Sequence, residues 1–237
     1  MNKTPSEPAV KVAADELRNI VLKLEDGAFL GSEDALRAQL GCSRNTLRQA
    51  ARLLERDGFI RVRRGINGGY FGTRPDASKV ENVVSAYLET LDMDAEDVTA
   101  VASILWVEVM RRASAVHNDA SFEMVEKFRR RLKQVKSTAT FAQVREFEQE
   151  TRKAIFELAR CRYIELVFNI NTAFSQRGFP PRPMLDETPE HLAFVRAWRD
   201  AKAMELTAIA EGDVELGAMA ARHIRHLWHK RLWHFPT

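Results

Sequence analysis

Between Ser43 and Asp57 the chain reads S-R-N-T-L-R-Q-A-A-R-L-L-E-R-D, placing arginines at positions 44, 48, 52 and 56. A guanidinium presents five donors in a planar fork, which fits phosphate oxygens or the acceptor edge of a guanine. A row of guanidiniums is either a polyanion-binding device or, taken in isolation, an ordinary solvated helix face. Leu47, Ala50, Ala51 and Leu54 follow the i, i+3, i+4, i+7 rhythm of a helix lying on a core. Ser43 precedes that helix as a cap and Gly58 follows it as a stop. Four residues advance about 400° around a helix, so Arg44 and Arg48 point together while Arg56 points elsewhere. Glu55 and Asp57, the acidic residues within the stretch, sit at its far end. Its first turn, with Arg44, Asn45, Thr46 and Arg48, is therefore expected to be exposed and able to contact bases or phosphates.

Neighbouring elements must position that turn. Val12, Ile20, Val21 and Leu24 suggest an amphipathic helix from about Val10 to Leu24, stopped near Gly27. Ser32 precedes a second short helix, E-D-A-L-R-A-Q-L, with Ala35, Leu36 and Leu40 facing inward, and Gly41-Cys42-Ser43 makes a tight turn. A short helix, a glycine-containing turn and a helix with polar N-terminal residues form the helix-turn-helix pattern. Past Gly58 the period changes: F-I-R-V-R-R alternates as a half-buried strand does, Gly65 to Gly69 turns, and Tyr70-Phe71 begins the return. Such a basic hairpin is a wing, whose Arg63 and Arg64 reach phosphate or the minor groove while Asn67, Gly68 and Gly69 allow close approach. A purely structural glycine-rich hairpin has the same composition. A nucleotide-phosphate loop does not fit, because no G-K-[ST] or strand-to-helix context accompanies the glycines.

Charge distribution supports a polyanion-binding head. The net charge is only +3, but residues 1–78 hold 13 Lys and Arg against 10 Asp and Glu, whereas residues 79–237 hold 23 against 23. The basic excess lies wholly in the first third. At 237 residues, 45% hydrophobic and 29% charged, the chain can bury one large domain or two modest ones and has the composition of a soluble protein. Cys42 and Cys161 have no metal or disulfide spacing. No apolar run is long enough to span a bilayer and the opening residues lack a signal-peptide core, so a cytoplasmic protein with reduced thiols and no membrane partner is expected.

The segment S-E-D-A-L-R-A-Q-L-G-C-S-R-N-T-L-R-Q-A-A-R-L-L-E-R-D-G-F-I, with R-R-G-I-N-G-G-Y-F after it, resembles the winged helix-turn-helix of GntR-family bacterial repressors over about residues 10–73. The resemblance implies a homodimer on a short palindromic operator of double-stranded DNA. It also implies DNA contacts from Arg44, Asn45, Arg48 and the wing glycines, and it brings Ser32 and Ser43 into the interface as helix caps. Two positions depart from the family. Gly31 stands where proline is usual before the serine, and Asp34 stands where a DNA-contacting arginine is common. Asp34 would repel phosphate, so that contact is not carried over.

Residues 1–9 are expected to be disordered, 10–73 to form the winged domain and 74–77 to be a linker. Everything beyond has helical texture, with candidates near 78–92, 95–117, 119–137, 140–160, 162–177, 188–211 and 213–232. The expected fold class is mainly α: a winged helix-turn-helix with a small hairpin, then an all-α bundle over 78–237 serving effector binding and dimerisation. F-E-Q-E-T-R-K-A-I-F-E-L-A-R-C-R-Y-I-E-L and A-I-A-E-G-D-V-E resemble the ligand-sensing (FCD) domain of the FadR-type branch.

Many members of that branch hold a divalent metal with one Asp and three His. Here those positions fall on Glu148, Arg152, Lys202 and, with an uncertain offset of one, His223. His191 lies too far from the turn at Gly212 to face His223, so Lys202 is favoured and a site without metal or other cofactor is expected. Two readings of Glu148, Arg152 and Lys202 stay open: an internal ion pair replacing the metal, or a cationic site for the carboxylate or phosphate of a small effector. His223, His226 and His229, interleaved with Arg222, Arg225, Lys230 and Arg231, suggest a solvated or interfacial face rather than a zinc site. Trp228 and Trp233 suggest packing on another surface.

These features point to a DNA-binding transcriptional regulator, expected to be a repressor and not an enzyme. The alternatives are a helical-bundle enzyme, or a scaffold that retains the winged head without sequence-specific DNA binding. Against the enzyme, no nucleophile elbow, HExxH or P-loop is present.

Overall fold

The computed structural model describes residues 7–65, 68–179 and 185–232. The chain divides into two compact units, Met1–Val80 and Glu81–Thr237. The expected fold class is borne out: a winged helix-turn-helix followed by an all-helical body.

The first unit comprises α1 (Glu7–Lys23), β1 (Phe29–Gly31), α2 (Glu33–Leu40), α3 (Arg44–Arg56), β2 (Ile60–Arg63) and β3 (Gly69–Gly72). Ser32 and Ser43 cap α2 and α3, accepting from the backbone N–H groups of Ala35 (3.2 Å) and Thr46 (3.1 Å). Gly41 ends α2 in the left-handed conformation, with φ 57°. The apolar stripe of α3 is buried as the periodicity requires, with Leu47, Ala50, Ala51 and Leu54 in one cluster with α1. Alanines on both helices let the backbones approach closely.

Several expectations for this unit need correction. Val12 and Leu24 were assigned to the inner face of α1, yet both are exposed; the buried stripe is Val10, Ala13, Ala14, Leu17 and Val21. The larger side chains suggested a face that the alanines in fact occupy. Ala35 of α2 is likewise exposed. Helix α1 begins at Glu7, so residues 7–9 are helical rather than disordered. Residues 1–6 lie outside the described residues.

β1 had no expected counterpart, since three residues show no periodicity. It completes a sheet of order β1-β3-β2, antiparallel throughout, with Val62 opposite Tyr70 and Arg63 opposite Gly69. Arg74, placed in the linker, is tied to α1 instead: its guanidinium donates to the Val21 carbonyl (2.9 Å) and its backbone N–H to Asp26 (3.1 Å).

Helix α4 (Ala77–Leu88) begins before the division at Val80, and the body continues with α5 (Ala95–Ser114), α6 (Asp119–Gln134), α7 (Phe141–Ala159), α8 (Arg162–Gly178), α9 (Pro189–Glu211) and α10 (Val214–Leu232). These helices stand where the sequence placed them, because side-chain caps announce most starts: Asp94, Asn118, Thr140 and Thr188 each accept from a backbone N–H in the first turn. Helix α5 is central, packed on α7, α8, α9 and α10. Gly212, with φ 69°, ends α9 and opens the α9–α10 hairpin.

Candidate functional site

A groove in the first unit runs between α3 and the β2–β3 hairpin, lined by Ser32, Glu33, Arg48, Arg52, Glu55, Arg63, Arg64, Gly68 and Gly69. Six of these were expected at a DNA interface; Glu33, Arg52 and Glu55 were not. Arg44 and Asn45 are exposed at the start of α3. Thr46 is corrected: it is only 6% exposed, and its hydroxyl lies 2.7 Å from that of Ser43. It serves the helix cap and does not present itself at the surface. Asn67 lies outside the described residues.

The near end of the arginine row is not free of negative charge, contrary to the sequence reading. Glu33, in the first turn of α2, takes Arg44 Nε on one carboxylate oxygen (2.7 Å) and Arg48 Nε on the other (2.7 Å). Arg44 and Arg48 thus point together, as the four-residue spacing demands, but onto a carboxylate eleven and fifteen positions earlier in the chain. Hydrogen bonding to Glu33 raises the Arg48 guanidinium further above its ordinary range. Burial first, and Glu33 second, push the Tyr70 phenol above its usual value. Glu33 holds two side chains that would otherwise sample many rotamers, and it does so at the surface, where an ion pair is cheap to exchange for a phosphate.

The hairpin glycines have a reason internal to the fold. A Cβ at Gly68 would sit 2.5 Å from the Arg63 carbonyl oxygen, and one at Gly69 would sit 2.5 Å from the Phe29 ring. The Arg63 guanidinium stacks 4.5 Å from the Phe71 ring centre, and Glu55 accepts the Val62 backbone N–H (3.0 Å), fixing the strand against α3. Gly31 has φ 140°, which proline cannot adopt, so the family's usual proline is incompatible with this β1–α2 junction.

The body contains an open cavity of about 340 Å³, walled by residues of α5, α7, α8 and α10 that include Trp106, Phe141, Glu148, Arg152, Phe168, Arg225 and Trp228. Beside it lies a buried charge cluster. Lys202 Nζ donates to Glu148 Oε1 (3.1 Å) and Glu205 Oε2 (2.6 Å). Trp198 donates to Glu148 (2.8 Å) and Trp106 to Glu205 (2.6 Å). Burial alone would raise Glu148, but Lys202, together with the Trp198 hydrogen bond, outweighs it and holds the carboxyl below its ordinary value. Glu205 goes the other way, since burial and the Glu148 charge outweigh Lys202. The Lys202 ammonium is raised by its two carboxylates despite burial.

Of the four residues assigned to a pocket, Glu148 and Arg152 line the cavity. Lys202 does not line it; it is fully buried behind Glu148. His223 is exposed, and Arg225 lines the cavity instead. Two residues turn a helix by about 200°, so a small error of register moved the choice to the opposite face of α10. The internal ion pair is also reassigned: Glu148 pairs with Lys202, whereas Arg152 lies over the Phe168 ring at 5.4 Å. Glu205 was missed; its only sequence signal was a carboxylate three residues after Lys202 on one helix face.

His191 is buried elsewhere, donating to the Ala139 carbonyl (2.9 Å). Arg231, read as part of a solvated or interfacial face, and Trp228, read as packing on another surface, are both buried within this chain, Trp228 against Phe194 (5.3 Å) and Arg231 over Phe141 (4.2 Å). Trp233 lies outside the described residues. Among the described residues no three His, Cys, Asp or Glu side chains converge as metal ligands. The donor set at the cavity, one committed carboxylate with guanidiniums, does not fit a divalent cation.

No described helix is long and apolar enough to cross a membrane. The sequence profile of "Bacterial regulatory proteins, gntR family" matches residues 10–67. No curated protein matches the chain. Among solved structures, Streptococcus agalactiae GntR is similar at 16% identity, with 94% of this chain and 98% of that one covered and a TM-score of 0.59. That is a likeness of fold. E. coli McbR/YncC (15% identity, 94% and 98% covered) and a GntR-family transcriptional regulator from Pseudomonas syringae pv. tomato (18%, 97% and 90%) align at TM-scores of 0.38 and 0.29, too low to carry an argument. Residues 10–67 of the chain form a helix-turn-helix domain of the gntR family of bacterial regulatory proteins.

Proposed function

We propose that the protein is a cytoplasmic transcriptional repressor of the FadR-type branch, whose winged domain binds operator DNA and whose helical body senses a small anionic metabolite without metal. The observation that carries this reading is the groove between α3 and the hairpin, where Arg48, Arg52, Arg63 and Arg64 gather on one surface. Arg48 and its neighbour Arg44, presented at the N-terminal end of α3, are suited to base edges; Arg63 and Arg64 are suited to phosphates. One winged domain buries too little surface for tight binding, so the protein works as a homodimer on a palindromic site, one head per half-site. The helical body supports the sensing role through its cavity and guanidiniums.

Fluorescence anisotropy with genomic fragments at moderate salt tests the DNA reading. A discrete set of fragments should bind far more tightly than random duplex, and equal affinity for all would overturn it. Light scattering at micromolar concentration should return twice the chain mass; a monomer with and without DNA would remove the dimer. Elemental analysis should find no stoichiometric transition metal.

A further inference from the structure

Among the described residues the wall of the cavity in the body carries three guanidiniums, Arg145, Arg152 and Arg225, against one carboxylate, Glu148. Arg152 and Arg225 lie over the same Phe168 ring, their guanidinium carbons 5.4 and 5.9 Å from its centre. Among the described residues Arg225 Nε is buried without a hydrogen-bond partner, and Glu148 acts on both guanidiniums through its charge. Glu148, the only acidic residue of the cavity wall among the described residues, is already engaged by Lys202 (3.0 Å) and Trp198 (2.8 Å). A guanidinium withdrawn from water with no partner is costly. Accordingly, burial pushes Arg225 down to about 10, with Glu148 offsetting only part of the loss.

Two of the four neutral polar residues on the α8 wall are committed to backbone. Asn171 donates to the Val98 carbonyl (3.0 Å) and Thr172 to the Phe168 carbonyl (2.8 Å). Beside Arg145, Gln149, Ser175 and Gln176, the rest of the wall is aromatic and aliphatic surface, with Phe141, Phe168, Trp106 and Trp228 prominent. A ligand for this cavity therefore needs one anionic head and an apolar body, within about 340 Å³.

We propose that Arg152 and Arg225 clamp the carboxylate of a small amphipathic monocarboxylic acid whose apolar body packs among the aromatic side chains of the cavity. The proposal deepens, and rests on, the reading of the body as an effector sensor. A planar carboxylate matches guanidinium forks bidentately. The aromatic walls give it an affinity that an ion without an apolar body cannot gain. Arg225 is the residue that the sequence did not reveal. The clamp also explains why a chain whose cavity has a guanidinium at a family ligand position needs no metal: a metal would bridge a carboxylate to the protein, and here the cations are covalently built in.

The test is calorimetric titration of the full-length protein with phenylacetate, phenylacetamide, acetate and inorganic phosphate, repeated with R152Q and R225Q. Circular dichroism confirms that each variant is folded, and R225K serves as a charge-conserving control. Phenylacetate should bind saturably, with phenylacetamide and acetate at least about tenfold weaker, and each Gln variant should lose about tenfold or more. R225K should retain part of the binding, and wild-type binding should weaken as pH rises through about 10, where Arg225 loses its charge.

No saturable phenylacetate binding up to millimolar concentration, equal binding of acid and amide, tighter binding of phosphate, or unchanged binding by R225Q would each overturn the clamp. Anisotropy on a bound operator fragment separates the two layers. If phenylacetate binds through Arg152 and Arg225 but leaves DNA binding unchanged, the clamp stands and the sensor reading fails.

Discussion

The basic groove and the buried cluster use the same chemistry, Arg or Lys on Glu, to opposite effect. In the groove Glu33 holds Arg44 and Arg48 at 2.7 Å, and both arginine side chains remain more than half exposed. In the body Lys202 holds Glu148 and Glu205 with its own side chain fully buried. Water solvates the groove charges when a pair opens, so Glu33 can yield an arginine to an incoming phosphate at little cost. Nothing replaces Lys202 when it is removed, so the cluster is fixed. Exposure decides that the first arrangement is exchangeable and the second is structural.

The comparison can be broken most forcefully at the buried end. Lys202→Met should destabilise the fold by about 3–5 kcal/mol, because two carboxylates lose their shared partner. Urea denaturation measures it, and a loss no larger than that of a surface substitution would place Lys202 among the exchangeable charges. The pH dependence has a definite sign. Glu148 is held below its ordinary value of 4.5, so its contribution is present above that pH and lost as pH falls through its lowered folded value. Lys202 is raised above 10.5, so its contribution is complete below that pH and lost only as pH rises through the folded value. Glu205, raised instead, partly offsets Glu148 on the acid side. In K202M both carboxylates are expected to be raised, so the stability gap between wild type and variant should begin to narrow as pH falls through those raised values toward 4.5, and narrow further below it as wild type loses the Glu148 contribution.

Within the groove the effects should be smaller and should fall on binding. Arg48→Ala should weaken operator binding by about tenfold to a hundredfold and relax one base position. Arg64→Ala should weaken all sequences more evenly and lower the salt slope by about one. Anisotropy across a salt series distinguishes them, and an equal loss on operator and random DNA for Arg48→Ala would remove its base-reading role.

Glu33→Gln sharpens the comparison with the smallest effect. Releasing two exposed arginines should shift the melting temperature by less than about 4 °C. It should slightly raise affinity for random DNA, because one negative charge leaves the groove, and lower the preference for operator, because Arg44 and Arg48 are no longer held in register. A large loss of stability would mean that Glu33 belongs with Lys202.

The head was legible in sequence because its determinants are local. The cap serines, the 3.6-residue stripe of Leu47, Ala50, Ala51 and Leu54, and the glycine turn each act within a few residues, as do Asp94, Asn118, Thr140 and Thr188 in the body. Such features fix where helices start and which side of α3 is buried, whatever lies across the core. Even so, α1 shows the limit: alanines carry little hydrophobic signal, and its buried face is decided by how closely α3 approaches.

The partners of charged groups were decided by tertiary structure. That Glu33 rather than solvent meets Arg44 and Arg48, that Glu205 joins Glu148 on Lys202, and that Arg225 rather than His223 enters the cavity all depend on where a second helix stands and how it is rotated. Each residue turns a side chain through about 100°, so a fold can be assigned correctly from its pattern while a site on it is misplaced by one face. By itself the sequence determined the helices, the winged head and the charge of its surface. Which charges meet, and which are left facing the cavity, was set by packing, because those contacts span residues that have no local reason to know of one another.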